Sequence, residues 1–155
     1  MKITIIAVGR VTGPLVEAVA EYEARAARYW KLEVVEVDAG AGGQDDVAAV
    51  RSAEEARILA RLPEGAQVVA LTRTGKGMGS RPLASWLGEL GLHGSPGVAF
   101  VVGGAYGLGP TVLERSRHLS VSPMTLPHEM ARLVLIEQLY RAGTILRGEP
   151  YHKGP

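Results

Sequence analysis

Residues 98–109 read VAFVVGGAYGLG, an unbroken apolar run that passes straight into a glycine-rich turn. Five consecutive apolar residues without polar alternation suit a strand covered on both faces, as in the middle of a parallel sheet. The glycines at 103, 104, 107 and 109 let the chain turn tightly, or let something approach its backbone closely. They are not a dinucleotide fingerprint, because no register of these four positions gives G-x-G-x-x-G. Nor does TGKGMGS, residues 74–80, make a Walker loop, since the leading glycine is missing at the required spacing. On this stretch alone a plain corner and the wall of a ligand site both stay open.

Outward from it, apolar runs at 3–8, 32–37, 66–71 and 118–121 predict four more strands. Helical stretches separate them. One is entered near residues 12–14, with Pro14 in its first turn, and continues through LVEAVAEYEARAARYW, 15–30. A second is capped by Asp45 and Asp46 and ends before Pro63; a third starts at Ser80 with Pro82 in its first turn; a short fourth follows Pro110. The last runs from about 127 to 146, with Pro127 in its first turn and Gly148 and Pro150 beyond its end. Alternating strands and helices predict an α/β fold: a single open, mostly parallel sheet with helices on both faces, in one domain over 1–155. Such sheets bind ligands beyond the carboxyl ends of their strands, which singles out the loops at 9–13, 39–46, 72–80, 103–110 and 122–127.

Composition narrows the chemistry. A chain of 155 residues is long enough for one full core and too short for two of usual size. With 46% hydrophobic and 21% charged residues it is neither disordered nor collagen-like. Cysteine is absent, which removes disulfides, thiolate nucleophiles and cysteine-held metals together. The histidines have no metal-like spacing, and no metal is expected. The apolar run at 3–8 is too short for a secretory signal, and no stretch approaches the roughly 20 apolar residues of a membrane span, so the cytoplasm is the expected location, with no membrane partner. The net charge of +1 conceals a sorting: residues 1–70 carry 8 Lys and Arg against 11 Asp and Glu, residues 71–155 carry 9 against 5, and all four histidines lie in the second part. A basic face for an anion such as RNA and chance sorting are both consistent with it.

Three elements near the C-terminus bear on function. The loop SVSPMTLPHEM, 120–130, combines prolines, small hydroxyl residues, Met124 and Leu126 just before a helix, a wall suited to a flat, mostly uncharged ligand such as an adenine; a simple strand-to-helix connection is the other reading. His128 falls in the first turn of that helix, where the amide dipoles favour a neutral imidazole that could take a proton, or could simply pack. The helix itself carries apolar residues over more than one face. One face can cover the sheet and the other a second copy, so a homodimer is expected, with a helix sandwiched inside the monomer as the alternative. The tail RGEPYHKGP, 147–155, sets Tyr151, His152 and Lys153 in a row: a ring to stack on a base, an imidazole to exchange its proton and an ammonium for its phosphate, unless the terminus merely frays.

FVVGGAYGLG (100–109) and LSVSPMTLPHEMARLVLIEQLYRAGTILRGEPYHK (119–153), with MKITIIAVGR (1–10) and LTRTGKGMGS (71–80), resemble the ribosomal large-subunit methyltransferase H family, of the SPOUT class. The similarity spans essentially the whole chain. It implies a C-terminal trefoil knot, S-adenosyl-L-methionine as cofactor, a homodimer in which one tail completes the other copy's site, and methylation of N3 of a pseudouridine in helix 69 of 23S ribosomal RNA in the assembled ribosome. Carried onto matching positions, the cofactor contacts are Leu71, Gly103, Val121, Ser122, Pro123, Met124, Thr125 and Leu126. The resemblance departs at one place: the family usually has an acidic residue directly after the leucine matching Leu71, whereas Thr72 and Arg73 stand here.

Methyl transfer to a ring nitrogen requires alignment and loss of the N3 proton. His152, or else His128, is expected as base or relay. Arg132, Arg141 and Lys153 are expected to hold RNA or steady the developing anion, and Tyr151 to place the base. Two rival readings are a small α/β enzyme with a flavin or nicotinamide, and a ribosome-binding factor without catalysis.

Overall fold

The structure is a computed structural model that describes residues 1–43 and 46–153. Five strands form one sheet: β1 (Lys2–Val8), β2 (Lys31–Val37), β3 (Gln67–Gly77), β4 (Gly97–Val102) and β5 (Arg117–Ser120), in the order β2-β1-β4-β3-β5. Every pairing is parallel. β4 is the central strand and β1 lies beside it, with Ile5 opposite Phe100, and their near-continuous burial explains why their sequences do not alternate.

Helices cover both faces. On one side α1 (Val16–Ala26), α3 (Ser80–Leu92) and α5 (His128–Leu146) close over Ile3, Ile5, Val69, Phe100, Leu87, Leu135, Ile136 and Leu139. On the other, α2 (Val47–Leu59) and α4 (Pro110–Glu114) close over Ile6, Val8, Val37, Ile58, Val101 and Val112. Asp46 caps α2 by accepting from the Ala48 amide at 3.0 Å; Asp45, named with it, lies outside the described residues, as do residues 154–155 of the tail.

Three departures from the sequence reading have physical causes. β3 runs six residues past Leu71, through a polar segment that reads as loop, because it pairs with β5; a register shift between Leu71 and Lys76 ejects residues 72–75, and the Ser120 hydroxyl donates to the Arg73 carbonyl at 3.2 Å. α1 stops at Ala26 rather than running to Trp30, since Trp30 turns back to donate its indole N–H to the Leu139 carbonyl at 2.8 Å. Pro127 is the residue before α5, in extended conformation, not a member of its first turn. The breadth of the apolar surface of α5 also has an internal explanation: α1 and α3 flank it over the sheet, and Gly143 lets the turn after α1 approach so closely that an added Cβ would stand 2.5 Å from Cβ of Tyr29.

Candidate active site

At the carboxyl ends of β3, β4 and β5 lies a cleft of about 800 Å³. Three loops wall it: residues ejected from β3 (Thr72, Arg73, Thr74), the glycine turn after β4, and the segment from Val121 to His128 that leads into α5. The opening question about 103–109 therefore has a double answer. It is a tight turn, closed by the Gly107 amide on the Gly104 carbonyl at 3.1 Å with Gly107 at φ +78°, and it is also a wall. Gly103 is packed so closely that a Cβ there would sit 3.0 Å from Leu108. The last loop is stiffened locally, the Met124 amide donating to the Ser122 hydroxyl at 3.0 Å.

Of the residues expected at a cofactor, Leu71, Gly103, Val121, Ser122, Met124, Thr125 and Leu126 line the cleft; Pro123 stands in the same loop but not on the lining. Met124 is 73% exposed, an apolar side chain held in the open at the mouth. The charged and imidazole side chains on the lining are Arg51, Arg73, His118 and His128, and among the described residues no carboxylate joins them. Thr72 Oγ1, also at the cleft, is buried without a hydrogen-bond partner.

His128 reaches the cleft from the first turn of α5, its ring against Gly9, with Glu129 3.8 Å from Nε2. The other residues expected to act on RNA are elsewhere. Arg132 is 5% exposed and bound on two sides, Nη2 to Glu23 at 2.8 Å and Nη1 to Glu36 at 2.6 Å. Burial opposes its charge, but the hydrogen bonds it donates to Glu36 and Glu23 outweigh this and raise its pKa. Arg141 pairs with Glu137 at 2.5 Å and lies over the ring of Tyr151, whose hydroxyl donates to the same carboxylate at 3.0 Å. Burial, then contacts with Tyr22 and Glu137, raise the Tyr151 pKa. Tyr151 also stacks on Tyr140 at 4.4 Å, and Tyr140 on Tyr22 and Tyr29, so the tail is packed on α1 and α5 rather than frayed. Both ring nitrogens of His152 are buried without a hydrogen-bond partner, and Lys153 is exposed.

Sequence reasoning missed Arg51 and the lining role of His118, whose Nε2 is 2.7 Å from the Leu113 carbonyl; Thr74, also on the lining, falls in the loop 72–80 that it singled out. Neither missed residue belongs to a motif; each reaches the cleft from a different element, so only the assembled sheet brings them together.

The family model described as "Predicted SPOUT methyltransferase" matches residues 1–152. Ribosomal RNA large subunit methyltransferase H of Gemmatimonas aurantiaca is 50% identical over 155 residues, covering 99% of this chain and 100% of that one. Its counterpart from Syntrophotalea carbinolica is 44% identical over 154 residues, covering 98% and 99%. Among solved structures, one described as "Structural insights into the 2-OH methylation of C/U34 on tRNA" superposes with a TM-score of 0.51 at 21% identity, over 93% of this chain and 92% of that chain. Another, "The structure of a probable methylase family protein from Haemophilus influenzae Rd KW20", gives 0.52 at 16% identity, over 98% and 70%; at such identities the likeness concerns the fold alone. A cleft walled by main chain at the carboxyl end of a parallel sheet, in a chain matched end to end at this level, leads to one conclusion: the chain belongs to the SPOUT methyltransferases, and among them to the ribosomal RNA large subunit methyltransferase H family.

Proposed function

We propose that this enzyme methylates N3 of a pseudouridine in helix 69 of 23S ribosomal RNA, in the assembled ribosome and in the cytoplasm, with S-adenosyl-L-methionine as methyl donor and as a homodimer of single-domain chains. The observation that carries the cofactor assignment is the cleft. Its volume falls in the roughly 300–1,000 Å³ range of small-molecule sites. Its walls at 103 and 121–126 are main chain and apolar side chains suited to an adenosine, and Thr72 Oγ1 is a buried polar atom there that still lacks a partner.

When bound there, S-adenosylmethionine supplies a methyl group already activated on a sulfonium sulfur. The chain's residues do the rest. Gly103 and residues 121–126 hold the adenosine, and Leu71 closes one side. His128, on the cleft wall, is placed to take the N3 proton from the base. Arg51 and Arg73 at the cleft suit the anionic parts of either ligand, while no carboxylate among the described lining residues balances the positive sulfonium where Thr72 and Arg73 depart from the family. Arg132, occupied by Glu23 and Glu36, positions α5 on α1 rather than touching RNA.

None of Tyr151, His152, Lys153 or Arg141 lines the cleft of its own chain. This supports the homodimer, in which the 147–155 tail and its His152, the alternative proton acceptor, complete the other copy's site within the knotted C-terminal region.

Calorimetric titration with S-adenosylmethionine, followed by transfer to ribosomes lacking the modification, tests the whole reading. Saturable binding and a methyl at N3 are expected; binding without transfer would point to another RNA, and no binding to a non-catalytic ribosome factor. Single-turnover rates in His128→Ala and His152→Ala assign the proton acceptor, and unchanged rates in both would remove both.

A further inference from the structure

One face of α2 is built against the rules of a surface helix. Val50, Glu54 and Ile58 form its buried stripe, and the middle position, where a leucine would pack, holds a carboxylate only 4% exposed. One oxygen of Glu54 accepts the Gly40 amide at 2.8 Å. The other, Oε1, is buried with no partner among the described residues and lies 3.1 Å from where a Cβ on Gly104 would stand, directly under the glycine turn. Two further residues of α2, on the faces flanking this stripe, reach the same wall. Arg51 donates from Nε to the Tyr106 carbonyl at 2.6 Å, and Glu55 accepts the Val112 amide at 2.9 Å, in place of the side-chain cap that Gly109 cannot supply to α4. Gly109 is glycine for the same reason, because a Cβ there would collide with the Glu55 carboxylate. The start, tip and end of the turn between β4 and α4 are thus all set from α2.

We infer that Glu54 and Glu55 are positioning residues for the cofactor: they fix where the main chain of 103–109 stands, and thereby set the affinity of the cleft. A buried carboxylate with an open lone pair is a costly choice in an apolar stripe, and stability alone would favour a hydrocarbon there. Its retention follows if its task is to brace the turn: Oε2, fixed on the Gly40 amide, holds the carboxylate in place, and Oε1 packs beneath Gly104. The inference rests on the cofactor reading above.

The test separates the two. S-adenosylmethionine binding is measured by calorimetry on the full chain, alongside thermal melting and the KM and kcat for methylation of unmodified ribosomes. Glu54→Leu is expected to raise Kd and the cofactor KM about tenfold with kcat within about twofold, while the melting temperature holds or rises. Glu55→Ala is expected to weaken binding by about as much, and Glu55→Gln, whose amide oxygen can accept the same N–H, to recover to within about threefold. Wild-type protein that binds no S-adenosylmethionine would overturn the reading and this inference with it. Wild type that binds, with Glu54→Leu and Glu55→Ala within twofold of it, would overturn the inference alone, as would losses of affinity that only follow losses of melting temperature. Should Glu55→Ala fail to fold, Glu54→Leu and Glu55→Gln still decide.

Discussion

Around the cleft the structure is mostly main chain: a glycine turn, a proline-punctuated loop and a bulge, with few side chains on the lining that bond one another. On the opposite shoulder, where α1, α5 and the tail meet, the reverse holds. Tyr22, Tyr29, Tyr140 and Tyr151 stack together, Arg25, Arg141 and Arg147 lie over their rings, and Arg132 bridges Glu23 and Glu36. The first region can present to a ligand the main-chain donors and acceptors that the few anchoring bonds, such as Arg51 on the Tyr106 carbonyl and Ser122 on the Met124 amide, leave over. The second holds the sheet-covering helices and the tail in register through groups that satisfy one another. Substitutions on the shoulder should therefore lower stability before affinity, and substitutions on the cleft wall the reverse.

The largest effect is expected at Arg132. Arg132→Ala leaves Glu23 and Glu36 facing each other without their cation, and urea denaturation should show a loss of about 3 kcal/mol, at the low end for a broken buried pair because both carboxylates keep some solvent. Gly143→Ala forces α5 away from Tyr29 in the turn after α1 and should cost about 2 kcal/mol by the same measurement, while S-adenosylmethionine affinity of the folded fraction stays near wild type. Gly103→Ala should invert that pattern. Leu108 can yield the few tenths of an ångström required, so stability falls by about 1 kcal/mol or less, whereas calorimetric Kd for S-adenosylmethionine rises about tenfold. Equal stability losses at 103 and 143 would dissolve the distinction between the regions.

Two pH effects are smaller. The folded-state pKa of Tyr151 lies above its ordinary value of about 10, so the tail's stabilisation is complete below that pH and is lost as pH rises beyond it; a late phenolate absorbance, missing in Tyr151→Phe, would report it. Glu33 is held below the carboxylate range by Lys2 at 2.5 Å. Its contribution is present above the ordinary carboxylate pKa and fades as pH falls through the depressed value; Glu33→Gln should flatten the acid limb of the melting curve slightly.

Much of this was readable residue by residue. The unbroken apolar run 98–102 announced β4, the turn residues announced the starts of α3, α4 and α5, and the loop 121–126 stood out by its composition. What escaped were features made by pairing partners. TRTGKG, 72–77, looks like loop because its side chains are polar, yet the edge of β5 draws it into the sheet. Tyr29 and Trp30 look like the end of a helix because nothing local says they will turn onto α5. Glu54 and Glu55 look like solvated charges on a polar helix, and are bound to amides 14 and 57 residues away.

By itself, then, the sequence determined the alternation of strands and helices, the helical cover on both faces of the sheet, and the loops able to form a ligand wall, because periodicity, capping and turn chemistry act over a few residues. The tertiary structure alone decided which charges are spent inside the fold and which reach the cleft. Arg132 and Arg51 are indistinguishable as letters, but one lies between two carboxylates and the other at the cleft. A cation's role depends on what stands within a few ångströms of it, and those neighbours come from distant parts of the chain.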